Sequence, residues 1–210
     1  MVKHMNDLLK QLTEAVGVSG AEKEVRLLIR DLIADHVDEW HVDAMGNLIA
    51  LKKGTGASSL RVMVDAHMDE VGLMVSDVAS DGTLKFDPVG GLRGYAVLGK
   101  VVQVGKKKLT GVIGAKPVHL LTGSQRNKEM ALSSMRIDIG AKKKENASSK
   151  VKVGDRAAFV TEYEELGDTA VAKAFDNRVG CAALVELLRA EPYPFDLYAA
   201  FTVQEEVGLR

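Results

Sequence analysis

Two nearly continuous apolar runs constrain this chain most: Leu60 to Ala66 (LRVMVDA) and Leu197 to Val203 (LYAAFTV). Neither shows the strict apolar–polar alternation of a strand that is wet on one side. Such runs suit strands covered on both faces, as in a parallel sheet flanked by helices. Each run is followed at once by acidic residues: His67-Met68-Asp69-Glu70 after the first, Gln204-Glu205-Glu206 after the second. Between them, from about 71 to 163, the texture changes to short β-like pieces separated by turn signals. These pieces are Gly72 to Val78, Thr83 to Phe86, Val101 to Val104, Thr110 to Ile113, Met135 to Ile139 and Arg156 to Val160. Their spacing predicts a small antiparallel sheet or barrel. The expectation is one α/β domain, 1–70 with 164–210, split by an inserted β domain at 71–163.

The flanking segments fit this reading. Residues 6–16 predict an amphipathic helix with Leu8, Leu9, Leu12 and Val16 on one face. A second helix follows Gly17-Val18-Ser19-Gly20 and buries Val25, Leu28, Ile29, Leu32 and Ile33; Ser19 and Glu22 have the spacing of a capping box. Residues 39–52 predict a hairpin turning at Gly46-Asn47, and Lys142 to Lys150 a loop or short surface helix. Ala170 to Ala174 reads as a strand. Asn177 to Ala190 reads as a helix with Val179, Ala183, Leu184, Leu187 and Leu188 inward, stopped by Pro192 and Pro194.

Composition narrows the function classes. The chain has 210 residues, with 28 Lys+Arg against 29 Asp+Glu. A nucleic-acid binder usually carries a basic excess, so Lys106–Lys108 and Lys142–Lys144 read as solvated turns. No apolar window reaches the roughly 18 residues of a membrane span. The N-terminus lacks the apolar core of a signal peptide, and a cytoplasmic protein is the expectation. The one cysteine, Cys181, permits no intrachain disulfide and no CxxC site. It lies on an apolar helix face and reads as packed. Any metal must therefore be held by His, Asp and Glu.

Three places carry chemistry, each where a strand or loop hands over to the next element, which is where open α/β sheets bind ligands. In an extended segment residues i and i+2 point the same way. His67 can thus ligate a metal while Asp69 accepts the proton of its other ring nitrogen. Asp176, just ahead of a helix, has two oxygens and could bridge two cations. Adjacent Glu205 and Glu206 can divide two roles, one ligating metal and one moving a proton. Each has a plainer reading. His67 could be a structural histidine, Asp69 a turn residue, Asp176 a helix N-cap, and Glu205-Glu206 a solvated loop. A glycosidase is disfavoured, because adjacent glutamates cannot flank a sugar across the gap of roughly 5 Å that such catalysis needs.

These residues also resemble a known family. Asp65-Ala66-His67-Met68-Asp69-Glu70-Val71-Gly72 is similar to the His-x-Asp-Glu-x-Gly segment of the M42 metallopeptidases. Ala174-Phe175-Asp176-Asn177-Arg178 is similar to their Asp-Asn-Arg segment, and Gln204-Glu205-Glu206-Val207-Gly208 to their Glu-Glu-Val-Gly segment. Ser19-Gly20 and the stretch Gly114 to His119-Leu120 also look like the family. Its members are glutamyl aminopeptidase-like and tetrahedral aminopeptidase-like, some labelled endoglucanases. The resemblance implies an α/β fold, a mixed sheet flanked by helices, with an inserted small β-barrel that serves oligomerisation. It implies hydrolysis of N-terminal residues from peptides with two divalent metal ions, zinc or cobalt. Carried over, His67 binds one metal, Asp69 orients His67, Asp176 bridges, Glu205 is the general base and Glu206 binds the second metal. The family also has a further C-terminal part supplying one more Asp and one more His ligand. The resemblance thus implies an N-terminal portion of such an enzyme, inactive by itself. The alternative is a non-catalytic assembly or interaction module built on the β domain.

Overall fold

The computed structural model describes residues 2–117 and 131–208. His119 and Leu120, quoted for the family likeness, lie outside the described residues. By its internal contacts the chain divides into two compact units, Met1–Glu70 with Thr161–Arg210, and Val71–Val160.

In the first unit, helix α1 (Val2–Glu14) and helix α2 (Lys23–Ile33) are followed by strands β1 (Glu39–Val42), β2 (Leu48–Lys52) and β3 (Arg61–His67). After Thr161 come a hairpin, β10 (Glu164–Leu166) with β11 (Thr169–Val171), then the helix Phe175–Arg189 and strand β12 (Asp196–Thr202). The main sheet has the order β1-β2-β12-β3. It is mixed: β1, β2 and β12 pair antiparallel, while β12 and β3 run parallel. The β1–β2 turn is tied by Asp43, whose Oδ1 accepts the amides of Met45, Gly46 and Asn47, each at 2.9 Å. The core gathers Leu12 of α1, Ile29 and Ile33 of α2, Leu48 and Ala50 of β2, and Ala199 and Phe201 of β12.

The α/β class and its mixed sheet appear as expected, but three local expectations are overturned. The strand over 60–66 is not covered on both faces. It is an edge strand: Val62, Val64 and Ala66 turn to the core, while Met63 is 60% exposed on the other side. The strand over 197–203 lies inside the sheet between β2 and β3, so among the described strands β1 and β3 form its edges. A second correction concerns the helix Phe175–Arg189. Its inward stripe is Arg178, Cys181, Ala182, Leu184, Val185 and Leu188, whereas Val179, Ala183 and Leu187 are exposed. Both stripes are apolar at helical spacing, and contact with β3 selects the one that carries Arg178. Finally, Ser19 and Glu22 form no capping box. Helix α2 starts at Lys23 with no side-chain cap, and the Ser19 hydroxyl points to Asp69 instead.

The second unit is a closed barrel in the order β4-β5-β8-β7-β6-β9. Its strands are β4 (Gly72–Val78), β5 (Leu84–Val89), β6 (Val101–Val104), β7 (Leu109–Gly114), β8 (Arg136–Asp138) and β9 (Arg156–Phe159), all paired antiparallel. Closure removes the exposed edges that a six-stranded sheet of this size would otherwise present. The interior is filled by Leu73, Val75, Leu84, Phe86, Val102, Val104, Ile113 and Ile137. Among the described residues this unit also carries two short α-helices, α3 (Gly94–Val97) and α4 (Lys144–Ser148), and Phe175–Arg189 of the first unit is α5.

Candidate metal centre at the carboxyl rim of the sheet

Parallel pairing assembles the site. The β3–β12 register sets His67 opposite Thr202, and the Met68 amide donates to the Thr202 carbonyl at 2.7 Å. The segments 68–70 and 203–207 therefore leave the sheet side by side. Helix α5 can lie close on β3 because Gly180 faces Ala66. A Cβ at Gly180 would stand 2.9 Å from the Ala66 Cβ and collide with the Asn177 side chain.

Asp69 is the hub. It is fully buried, and its carboxylate accepts from the Ser19 hydroxyl at 2.5 Å, the Glu205 amide at 3.0 Å and the Glu206 amide at 3.1 Å. Its Oδ1 lies 3.4 Å from His67 Nδ1, and its own carbonyl accepts from the same ring nitrogen at 3.2 Å. Burial alone would raise the Asp69 pKa. The bonds from His67, Ser19 and the two amides outweigh it and hold the carboxyl at about 2. One carboxylate thus orients the His67 ring and pins the turn that presents Glu205 and Glu206. The predicted link from Asp69 to His67 exists, shared between side chain and carbonyl. Its grip on the Glu205–Glu206 turn had no signal in the sequence, and Ser19, though part of the family likeness, had none that tied it to this site.

With Nδ1 engaged, His67 Nε2 is turned to the carboxylates. Asp176 Oδ1 is 3.1 Å away and Glu205 Oε2 3.8 Å. Burial would lower the His67 pKa, but Asp69, Asp176 and Glu205 together push it up to about 9. Asp176 is not the N-cap of α5. The backbone at Asp176 and Asn177 is non-helical, and Asn177 Oδ1 takes the Gly180 amide at 3.0 Å. The Asp176 carboxylate, 88% exposed, is left to face His67. Glu206 joins the group through its amide on Asp69. Burial raises its pKa, opposed by His67 and reinforced by Asp176, Asp69 and Glu205. The residues ahead of each acidic motif, Ala174 (φ 55°) and Gln204 (φ 60°), sit in the left-handed region. This costs each about 1 kcal/mol and concentrates at functional sites.

Among the described residues, no three His, Cys, Asp or Glu side chains converge as a ready ligand set for one ion. The chemistry of the donors nevertheless fits divalent metal. A single imidazole, its outer nitrogen free of the protein backbone, is ringed by carboxylates. Hard oxygen and imidazole ligands of this kind suit zinc and cobalt. His67, Asp176 and Glu206 supply imidazole and carboxylate donors of that kind along one rim. Cys181 takes no part. It is buried, donates to the His67 carbonyl at 3.3 Å, and burial pushes its thiol up to about 12.

Similarity to known proteins places the chain. A family profile described as M42 glutamyl aminopeptidase matches residues 46–210, and one described as AMPT matches residues 4–27. A putative aminopeptidase of Acetivibrio thermocellus is 46% identical over 98% of this chain and 60% of its own length. The solved structure of an aminopeptidase from Desulfurococcus kamchatkensis superposes with a TM-score of 0.90 at 37% identity, over 98% of this chain and 57% of that one. A Pyrococcus horikoshii TET1 peptidase, described as assembling into a tetrahedron or a large octahedral shell, gives 0.85 at 36% identity over 97% and 62%. The chain spans about 60% of the length of the curated relatives it matches. With the family profile matching residues 46–210, well over half of its length, the chain belongs to the M42 family of metallopeptidases.

Proposed function

We propose that this chain carries one part of a two-metal aminopeptidase centre that removes N-terminal residues from peptides in the cytoplasm. The observation that supports it best is the Asp69 carboxylate, which ties His67 and the Glu205–Glu206 turn together while His67 Nε2 meets Asp176. In this reading His67, Asp176 and Glu206 hold the ions. Bound divalent metal would polarise the scissile carbonyl and acidify water. Glu205, half exposed at the rim, takes a proton and returns it to the leaving amine. Asp69 touches no substrate; it keeps the imidazole in one orientation.

A catalytic zinc normally has three protein ligands and a water. With two proposed per ion, this chain holds metal loosely and hydrolyses aminoacyl-p-nitroanilides little or not at all when purified free of other peptidases. Robust turnover that disappears in Glu205→Gln would contradict the inactivity and keep the site assignment. Robust turnover unaffected by Glu205→Gln would overturn the assignment itself.

A second reading rests on the barrel. Its outer surface carries exposed Tyr95, Leu98, Val101 and Val112, with Val101 and Val112 directly paired across β6 and β7. The TET1 relative assembles into shells. We therefore propose that this chain forms a homo-oligomer through the barrel, with or without catalysis. Sedimentation should give a mass above the 22.6 kDa monomer; a monomer at all concentrations would remove this reading.

A further inference from the structure

A buried cluster of charges lies behind the rim, and the proposed chemistry does not use it. Glu70 directly follows Asp69. Lys173 precedes Asp176 by three residues, and Arg178 follows it by two. Glu70 is 3% exposed and Arg178 0%, and the Lys173 side chain is 9% exposed. Lys173 Nζ donates to both Glu70 oxygens and to the Ala15 carbonyl, each at 2.9 Å. Glu70 Oε1 also accepts the Gly17 amide at 2.9 Å. Arg178 Nε donates to the Met68 carbonyl at 2.7 Å, and Nη1 to the carbonyls of Leu12 and Ala15. Among the described residues its Nη2 has no hydrogen bond, and it faces Glu70 at 3.7 Å. Gly17 leaves the room: a Cβ there would stand 2.7 Å from that nitrogen.

Three buried charges are a costly way to fill a core, because well-packed apolar side chains of the same volume are as stable or more so. What this cluster adds is registry. It joins the end of α1, the peptide between His67 and Asp69, and both sides of Asp176. The Asp176 side chain has His67 as its one hydrogen-bond partner among the described residues, so its place depends on the backbone around it. Lys173 and Arg178 anchor that backbone to Glu70, which is continuous with the His67–Asp69 segment.

We propose that Glu70, Lys173 and Arg178 are positioning residues that set the separation of His67 from Asp176, and thereby the metal affinity of the rim. This rests on the metal reading above. The test compares Lys173→Met and the gentler, isosteric Glu70→Gln with a control, Lys52→Met. Lys52 is also buried in this unit, but it donates to the Leu188 and His36 carbonyls. Amide hydrogen exchange needs no metal. The Glu70 amide, bonded to the Gly17 carbonyl, and the Arg178 amide, bonded to the Ala174 carbonyl, report the two segments. In both cluster variants they should exchange about tenfold faster or more, while amides of β12 keep their rates. Cobalt titration of the same proteins should show affinity reduced by about tenfold or more. The Lys52→Met control should change neither.

Unchanged exchange at both amides in Lys173→Met and Glu70→Gln would overturn the proposal. Acceleration in Lys52→Met equal to that in the cluster variants would overturn it too, since it marks general loosening. If Lys173→Met does not fold, Glu70→Gln decides. If the unaltered chain takes up no cobalt, the metal reading fails. The registry role is then judged by exchange alone, upheld if both amides accelerate together and overturned if they do not.

Discussion

At the scale of single residues, the site is an electrostatic arrangement around one imidazole. His67 is held at about 9 by its carboxylate neighbours, above the ordinary 6.5. A group with a raised folded pKa stabilises the fold fully below its unfolded pKa, and that stabilisation is lost as pH rises through the folded one. In the metal-free chain the loss falls between about pH 6.5 and 9, on the order of 1–3 kcal/mol. Urea unfolding in EDTA at pH 6 and pH 9.5 should show it as a lower midpoint at the higher pH; equal midpoints would contradict it. Asp69 works in the opposite sense. Depressed to about 2, it stabilises above pH 3.8, and its contribution disappears as pH falls toward 2. Asp69→Asn strips acceptors from Ser19 and the Glu206 amide and should cost about 2–4 kcal/mol. It should also move the His67 titration, followed by NMR, down from about 9 toward 6.5. An unmoved titration would show that Asp176 and Glu205 suffice.

At the scale of elements, the site depends on how closely α5 lies on β3. Gly180→Ala forces a Cβ against Ala66 and against the Asn177 side chain that accepts the Gly180 amide. A cost of about 1–3 kcal/mol follows from such overpacking, read as a lower thermal midpoint. A neutral result would mean that α5 has slack. Elements were legible in the sequence where periodicity was unambiguous: the hairpin over 39–52, the six short barrel strands and the helices around Leu12 and Ile29. Their environments were less so. An apolar run such as LRVMVDA reads the same in a central strand and at an edge, because pairing partners are set by distant segments. Helix α5 has two apolar stripes, and the buried one contains an arginine. The carbonyls of Leu12, Ala15 and Met68, with Glu70 nearby, make Arg178 an interior residue, and all are brought in by tertiary structure. Ser19 was misread for the same reason: a serine ahead of a helix has the look of a cap until a buried carboxylate competes for its hydroxyl.

At the scale of the whole molecule, one rim gathers residues from positions 67, 69, 176, 205 and 206. Their residue types and places after strands were readable, because ligands collect at the carboxyl ends of a parallel pair. The cradle around them was not: Ser19 and Arg178 stand in stretches of family likeness, but nothing in the sequence ties them or Lys173 to the buried side of this rim. Among the described residues, no helix is long and apolar enough to cross a membrane. The central claim is that His67 and the carboxylates around it hold divalent metal. The most direct test is cobalt titration of this chain beside His67→Ala, with bound metal counted by elemental analysis. The account predicts uptake by the unaltered chain, weaker than at a three-ligand site, and its loss in His67→Ala. Identical binding curves for the two proteins would contradict it.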